Sequence, residues 1–164
     1  MRKKISLLLP ALCLLLGLSF SPAHAENWSF FKSFNYEKPQ FLHPHPFATA
    51  HAVLQVSQGS PARWNLVLNN AANMLKYFGS ANVQIVIVAY GPGLKMLLKD
   101  SPMAARIQSL NAEGVEFDAC HNTMLNFKRK LGHLPKLVDQ AVVVPGGIVR
   151  IMQLQAHGFR YIKP

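Results

Sequence analysis

Beyond residue 48, the chain alternates between short apolar runs and longer segments in which apolar residues recur every three or four positions. The short runs are apolar nearly throughout, as strands buried on both faces of a sheet are. They predict strands at residues 52–56, 83–89, 115–119, 141–144 and 159–162. The longer segments predict helices at residues 61–78, 94–99, 103–111, from 122 or 123 onward, and 148–156, with a linker or short helical turn at 131–140. This alternation predicts an α/β fold, a three-layer sandwich whose sheet has about five mainly parallel strands, with helices on both faces.

Residues 26–48 lack a lasting period of either kind and mix aromatic residues with prolines. Because proline fixes φ and removes a hydrogen-bond donor, we interpret this segment as an extended arm that lies on the domain or on a neighbouring subunit. Within it, His43 and His45 flank Pro44, but two histidines without a third ligand are weak evidence for a metal site. A surface or packing role fits them better.

The first 25 residues have the composition of a secretory signal peptide. Arg2, Lys3 and Lys4 precede an apolar run over residues 5–20, and Ala23-His24-Ala25 is a small-x-small cleavage sequence. A membrane anchor is the alternative, but the run is short for a stable span and ends in Ser-Pro. The sequence therefore predicts cleavage after Ala25, a periplasmic or secreted protein, and no stable membrane insertion afterwards. The domain proper then covers residues 49–164, a length that suits a single domain.

The chain is basic, with 17 Lys and Arg against 7 Asp and Glu, a net charge of +10. Loss of the signal peptide would reduce this to +7, because that segment holds three basic residues and no acidic ones. The remaining charges are scattered, and the only basic run is Lys128-Arg129-Lys130. A solvated basic surface or attraction of small anions fits this pattern, and we expect no nucleic-acid partner for an exported protein.

Several turns are predicted to meet at one edge of the sheet, because all strands of a parallel sheet end on the same side and ligands bind there. Glycines in these turns let backbone N–H groups approach a ligand, and helix N-termini behind them favour anions. No dinucleotide fingerprint, phosphate-binding loop or serine-nucleophile elbow is present, so no cofactor is predicted. Glu116 and Asp118 are predicted to face a boundary rather than to form an acid–base pair. The edge residues are Ser57, Gly59, Ser60, Tyr90, Gly91, Gly93, Asn122, Thr123, Pro145, Gly146 and Gly147.

Cys120 is the only cysteine after residue 25, since Cys13 lies within the predicted signal peptide. It stands where a predicted strand turns into a helix, and the helix dipole there favours the thiolate. His121, next to it, is a possible assisting group. Without a second cysteine the thiol cannot run a dithiol cycle, but it could carry one sulfur atom as a persulfide. The alternative is a small apolar residue packed at the end of the strand.

Several short motifs resemble those of the DsrE/DsrF-like family, and more narrowly of an exported subgroup of its single-domain members. They are Ala52-Val53-Leu54-Gln55-Val56-Ser57, Ser60-Pro61, Trp64-Asn65, Val88-Ala89-Tyr90-Gly91-Pro92-Gly93, Gly114-Val115-x-Phe117-x-Ala119-Cys120-x-Asn122-Thr123-Met124 and Val143-Val144-Pro145-Gly146-Gly147. The resemblance covers residues 49–164 and implies a three-layer α/β domain that forms homo-oligomers, trimers or hexamers. In characterised relatives a cysteine at the end of a central strand receives sulfur as a persulfide, and Cys120 matches that position.

The leading hypothesis is therefore an exported protein whose Cys120 binds or relays sulfane sulfur, with at most a sulfurtransferase-like activity. Its partner would be a sulfur donor or acceptor protein, or a small sulfur anion. The alternative hypothesis is a non-catalytic module that binds a small anion or metabolite, or that serves oligomeric assembly. A third hypothesis is a metal site formed by Cys120, His121 and either His43 or His45.

Overall fold

The computed structural model describes residue 28 and residues 30–164, so the predicted signal peptide lies outside the described residues. Five strands form one sheet in which all neighbouring strands pair in parallel, in the order β4-β3-β2-β1-β5. They are β1 (Ala50–Val56), β2 (Val83–Ala89), β3 (Glu116–Cys120), β4 (Ala141–Val144) and β5 (Arg160–Ile162). The predicted parallel sheet is thus confirmed. No helix in the described part of the chain is both long and apolar enough to cross a bilayer.

Helices cover both faces of the sheet, which confirms the predicted three-layer architecture. They are α1 (Pro61–Phe78), α2 (Ala104–Ala112), α3 (His121–Leu131) and α4 (Gly147–Ala156), with 3-10 segments at Ser80–Asn82 and Gly91–Leu97. The first three crossovers step in one direction along the sheet, and right-handed crossovers therefore place α1, α2 and α3 on one face. The fourth crossover runs back from β4 to β5, beyond β1, and places α4 on the opposite face.

The apolar core is divided between these two faces. The larger part packs Leu54, Ile87 and Phe117 of the sheet against α1, α2 and α3. The smaller part, under α4, consists of Val53, Val86, Val88, Ile151, Leu154 and Phe159. The α4 face therefore has less apolar material to bury than the opposite face.

Most predicted boundaries agree with the structure within two residues, but two predictions near the ligand edge are wrong. The predicted helix at 94–99 is instead the 3-10 segment Gly91–Leu97, which includes the glycine loop. A Cβ atom on Gly93 would lie 2.2 Å from the carbonyl oxygen of Val56, so the chain runs directly against the end of β1. This close approach requires glycine and keeps the segment in a tight turn.

The start of α3 also differs from the prediction that Asn122 or Thr123 caps it. The helix begins at His121, and Cys120 occupies the N-cap position with extended backbone angles, φ −69° and ψ 113°. The Thr123 hydroxyl instead accepts a hydrogen bond of 2.9 Å from the backbone N–H of Gly91. A side chain expected to cap its own helix therefore holds the neighbouring loop. The helix runs on to Leu131, so the predicted linker is shorter than 131–140.

The arm lies on the domain and is not extended throughout, because residues 30–33 are helical. This turn places Phe31 against His121, with ring centroids 4.5 Å apart. Further along, Phe41 stacks on Phe159 at 5.6 Å under the α4 face, and the backbone of His45 donates to Gln84. Apolar and backbone contacts thus hold the arm, where sequence periodicity gave no signal.

Candidate functional site

The connections that follow β3 and β4 leave the sheet toward opposite faces, which creates a crevice between the carboxyl ends of these two strands. Such a topological switch point is where open α/β sheets bind ligands. Cys120 is the last residue of β3 and pairs in register with Val144, the last residue of β4. The predicted candidate thiol therefore lies at the switch point.

The Cys120 side chain is free of disulfide bonding and buried, with 5% of the residue exposed. Since side chains alternate along a strand, Cys120 shares the α4 face of β3 with Glu116 and Asp118. Phe30 and Phe34 of the arm lie near its register partner Val144, where they line a small crevice. The thiol is thus placed at the ligand edge but has little contact with solvent.

The glycine-bearing turns contact one another near this position. A Cβ atom on Gly147 would lie 3.0 Å from Tyr90, and one on Gly146 would lie 3.5 Å from the Asn122 amide. With the bond from Gly91 to Thr123, these contacts join three of the four predicted turns. In the fourth turn, a Cβ atom on Gly59 would lie 3.3 Å from Pro92. Ser60 is exposed, and Pro145 is half-buried.

A chain of polar side chains runs along this edge from β5 toward Cys120. The Tyr161 hydroxyl donates to Gln55 Oε1, and Gln55 Nε2 donates to Ser57 Oγ at 3.0 Å. Burial raises the pKa of the Tyr90 hydroxyl above its usual 10.0, and the nearby Tyr161 and Cys120 groups raise it further, while a hydrogen bond with Ser57 opposes the rise. Because Ser57 Oγ accepts from an amide, its own proton is available to the Tyr90 oxygen, and Tyr90 is near enough to Cys120 for the charges of the two groups to interact.

His121, the predicted assisting residue, lies between aromatic residues of the arm. Its ring is 4.5 Å from that of Phe31 and 5.6 Å from that of Trp28, measured between centroids. The described residues show no group of three or more His, Cys, Asp or Glu side chains that could hold a metal ion. The third hypothesis, a metal site, therefore has no support in the described part of the chain.

Directly below Cys120 lies a buried ionic network that the sequence analysis missed. Glu116 and Asp118 are fully buried, which corrects the prediction that they face a boundary. Arg150 of α4 lies 2.8 Å from each, through Nη2 to Glu116 Oε1 and through Nε to Asp118 Oδ2. The sequence did contain one sign of this network, since two acidic residues stand at i and i+2 in an apolar strand. This spacing places both carboxyl groups on one face of the sheet, where their burial requires a cation.

The network also fastens the arm to the domain. Arg150 Nη2 donates to the backbone oxygen of Gln40 at 2.8 Å, and the Leu42 N–H donates to Glu116 Oε2 at 2.6 Å. Gln153, which accepts from Arg150 Nη1, donates in turn to the backbone oxygen of Asn35. Burial raises the pKa of Glu116 to about 8, with the Asp118 charge as the second cause, and burial likewise raises the pKa of Asp118. A hydrogen bond joins the two carboxyl groups, so the pair keeps one proton at neutral pH, which we assign to Glu116, and one guanidinium balances the remaining negative charge.

The parallel three-layer fold with a thiol at its switch point defines a class of α/β proteins with a cysteine at the ligand edge. The model of the DsrE/DsrF-like family matches residues 50–164, and the chain belongs to this family, which is of the sulfur-relay type. No curated protein sequence matches the chain.

Solved structures similar to the chain include two proteins of unknown function. A protein of unknown function from Methanobacterium thermoautotrophicum, MTH1491, is 29% identical, with a TM-score of 0.63 over 70% of this chain and 99% of its own. A conserved protein of unknown function from Bacteroides thetaiotaomicron, BT1422, is 14% identical, with a TM-score of 0.51 over 74% of this chain and 100% of its own. The first supports the DsrE-like fold, and the second shows the fold alone.

Proposed function

We propose that this protein binds or relays sulfane sulfur as a persulfide on Cys120. The observation that carries the proposal is the position of this thiol, at the end of a central strand and at the switch point of a DsrE-like fold. The thiol loses its proton to solvent, and the thiolate attacks a sulfur atom of a polysulfide. A new S–S bond forms between Cys120 and the terminal sulfur of the donor while that sulfur's bond to the rest of the donor breaks, and the shorter polysulfide anion leaves with the electron pair. Loading is thus an exchange of S–S bonds and needs no separate oxidant.

The surroundings of Cys120 favour a small sulfur anion as donor or acceptor. A residue that is 5% exposed is accessible to a small reagent far more readily than to another protein's side chain. Helices α3 and α4 both begin at this edge, and the backbone N–H groups of their first turns attract negative charge. A persulfide anion would be stabilised by the same groups. Relay to a protein partner would require the arm, whose Phe30 and Phe34 lie beside Val144, to move.

The predicted export and assembly belong to the same proposal. We place the protein in the periplasm or outside the cell, because its first 25 residues have the composition of a signal peptide. A trimeric or hexameric homo-oligomer follows from the family resemblance. In such a compartment, enclosure of a lone thiol also protects it from mixed disulfides.

Replacement of Cys120 by serine is the direct test. The folded mature protein, incubated with inorganic polysulfide and freed of excess reagent, is expected to gain the mass of one sulfur atom, and Cys120→Ser none. Alkylation before and after denaturation shows whether the thiol reacts in the folded state, and circular dichroism shows that the variant is folded. If the wild type gains no sulfur under conditions that load a known relay protein, the proposal is wrong.

Replacement of Tyr90 by phenylalanine tests whether its hydroxyl stabilises the sulfur anion. Loss of one hydrogen bond to a charged sulfur, worth about 1.5 kcal/mol, is expected to slow persulfide formation about tenfold. The rate is measured by quenching the loading reaction at intervals and determining the mass. Tyr77→Phe is the matched control, because Tyr77 is 83% exposed. Equal loading rates for the two variants would show that Tyr90 has no part in the reaction.

A further inference from the structure

A cavity beside the edge strand β4 has the properties of a ligand site that is separate from Cys120. We propose that it binds a small amphipathic anion, a molecule with an apolar body and one carboxylate or sulfonate group. The cavity measures about 460 Å³, within the range typical of small-molecule sites. The residues that line it include Trp28, Lys99, Met124, Leu134, Lys136 and Val143.

The cavity is held open by backbone hydrogen bonds. Residues 134–138 form its outer wall and pair with the end of the 3-10 segment through an antiparallel bridge between Leu98 and Leu137. Lys99 N donates to Lys136 O at 3.0 Å, and Val138 N donates to Leu97 O at 2.9 Å. Because these bonds fix the wall at a distance from α3, the cavity is preformed. Binding would then cost little ordering of the chain.

The apolar character of the cavity selects the body of the ligand. Met124 and Val143 are almost fully buried at its floor, with 2% and 1% exposed. Trp28 adds an aromatic wall, and its ring contacts that of His121 at 5.6 Å. Burial of an alkyl chain or an aromatic ring here would gain about 25 cal/mol for each Å² of apolar surface removed from water.

The charges at the cavity select the head group. Two lysines and no acidic residue are among its lining residues. Lys99 pairs with Asp139 at 3.0 Å, but both side chains are about half exposed, so this ion pair contributes little and an anion can compete for the ammonium group. Lys136 is exposed and adds a second positive charge. The combination of an apolar interior and a cationic rim therefore matches an amphipathic anion better than a neutral lipid.

This site lies across the sheet from the candidate thiol. Ala141 and Val143 belong to the larger core on the face of α1, α2 and α3, whereas Cys120 is directed to the face of α4. Binding in the cavity thus needs no sulfur chemistry, and its test can succeed or fail independently of persulfide loading.

The experiment compares two fluorescent probes that share an apolar body and differ in charge. Anilinonaphthalene sulfonate is the anionic probe, and phenylnaphthylamine, which lacks the sulfonate, is the neutral one. With the mature protein, we expect saturable 1:1 binding of the anionic probe with a micromolar Kd, and binding of the neutral probe at least about tenfold weaker. A near-UV circular dichroism spectrum unchanged by the probe shows that the protein remains natively packed.

Two variants locate the binding, with a matched control for charge. Leu134→Trp, at a half-buried wall position, fills the cavity and is expected to abolish binding of both probes. Lys136→Glu is expected to weaken binding of the anionic probe about tenfold, equal to about 1.4 kcal/mol, and to leave the Kd of the neutral probe unchanged. Lys130→Glu, an exposed lysine of α3 outside the cavity, makes the same charge change and should alter neither Kd more than twofold.

Three results would overturn the proposal. Binding that survives Leu134→Trp would place the probes elsewhere on the protein. Equal affinity for the two probes would remove the assigned preference for an anion. Absence of saturable binding by the anionic probe would mean that the cavity does not bind an amphipathic anion.

Discussion

Replacing Arg150 by leucine is expected to lower the free energy of unfolding by about 3–5 kcal/mol at pH 7. The Arg150 side chain is 2% exposed and its guanidinium contacts both buried carboxyl groups, so its loss leaves Asp118 without a charge partner. The Glu116 carboxyl group also shares a hydrogen bond with Asp118, but it has no positive charge and cannot replace the guanidinium. Urea denaturation followed by circular dichroism measures the difference.

The same substitution is expected to loosen the arm, because Arg150 also donates to the backbone of Gln40. Limited proteolysis should then cut within residues 35–45 at a denaturant concentration where the wild type stays intact. Arg106→Leu is the matched control, since Arg106 uses its guanidinium to contact Asn65 and Asn69 near the surface. Its expected cost is about 1 kcal/mol. A similar cost for both variants would contradict the view that the network is a main support of the α4 face.

The arrangement of strands and helices was predictable because most of it depends on local patterns. All seven residues of β2, six of them apolar, are buried, and the proline and glycine at the two ends of α1 mark its boundaries as expected. The handedness of parallel crossovers then restricts the layers. The position of Cys120 at the ligand edge followed from the same patterns, because a strand that turns into a helix places its last residue there.

What the sequence could not show depends on contacts between distant residues. Burial of Cys120 depends on how strands, turns and the arm meet at the edge, which no local period encodes. Arg150 lies 34 positions beyond Glu116, and the strand order that puts α4 over β3 is a property of the whole sheet. Thr123 has the chemistry of a helix cap, yet it bonds to Gly91, 32 positions away. Helix patterns predicted that Thr123 stands at the start of a helix, but not the group with which its hydroxyl forms a hydrogen bond.

Stability is expected to fall as the pH rises from about 4.5 to about 8, and Glu116 is the residue responsible. Its pKa is about 8 in the folded protein, against a usual value of 4.5, because burial and the neighbouring Asp118 disfavour the ionised form. Between these values the folded protein holds a proton that the unfolded chain releases. The stabilisation is thus complete below the pKa that Glu116 has in the unfolded chain, and it is lost as the pH approaches the pKa of Glu116 in the folded protein. Between the two values, the free energy of unfolding falls with a slope approaching about 1.4 kcal/mol per pH unit.

Glu116→Gln is expected to flatten this dependence, because glutamine does not titrate. Its amide group cannot accept both hydrogen bonds that the Glu116 carboxyl oxygens accept from Arg150 and Leu42, so the variant is less stable than the wild type at pH 5. The difference in free energy of unfolding between the two proteins should narrow by pH 9, because the wild type then contains two buried carboxylates and only one guanidinium. Urea denaturation at pH 5, 7 and 9 gives the two curves, and Glu113→Gln, at an exposed position, should follow the wild type. Parallel curves for the wild type and Glu116→Gln would show that Glu116 does not hold the proton. The buried network would then contain one proton fewer at neutral pH.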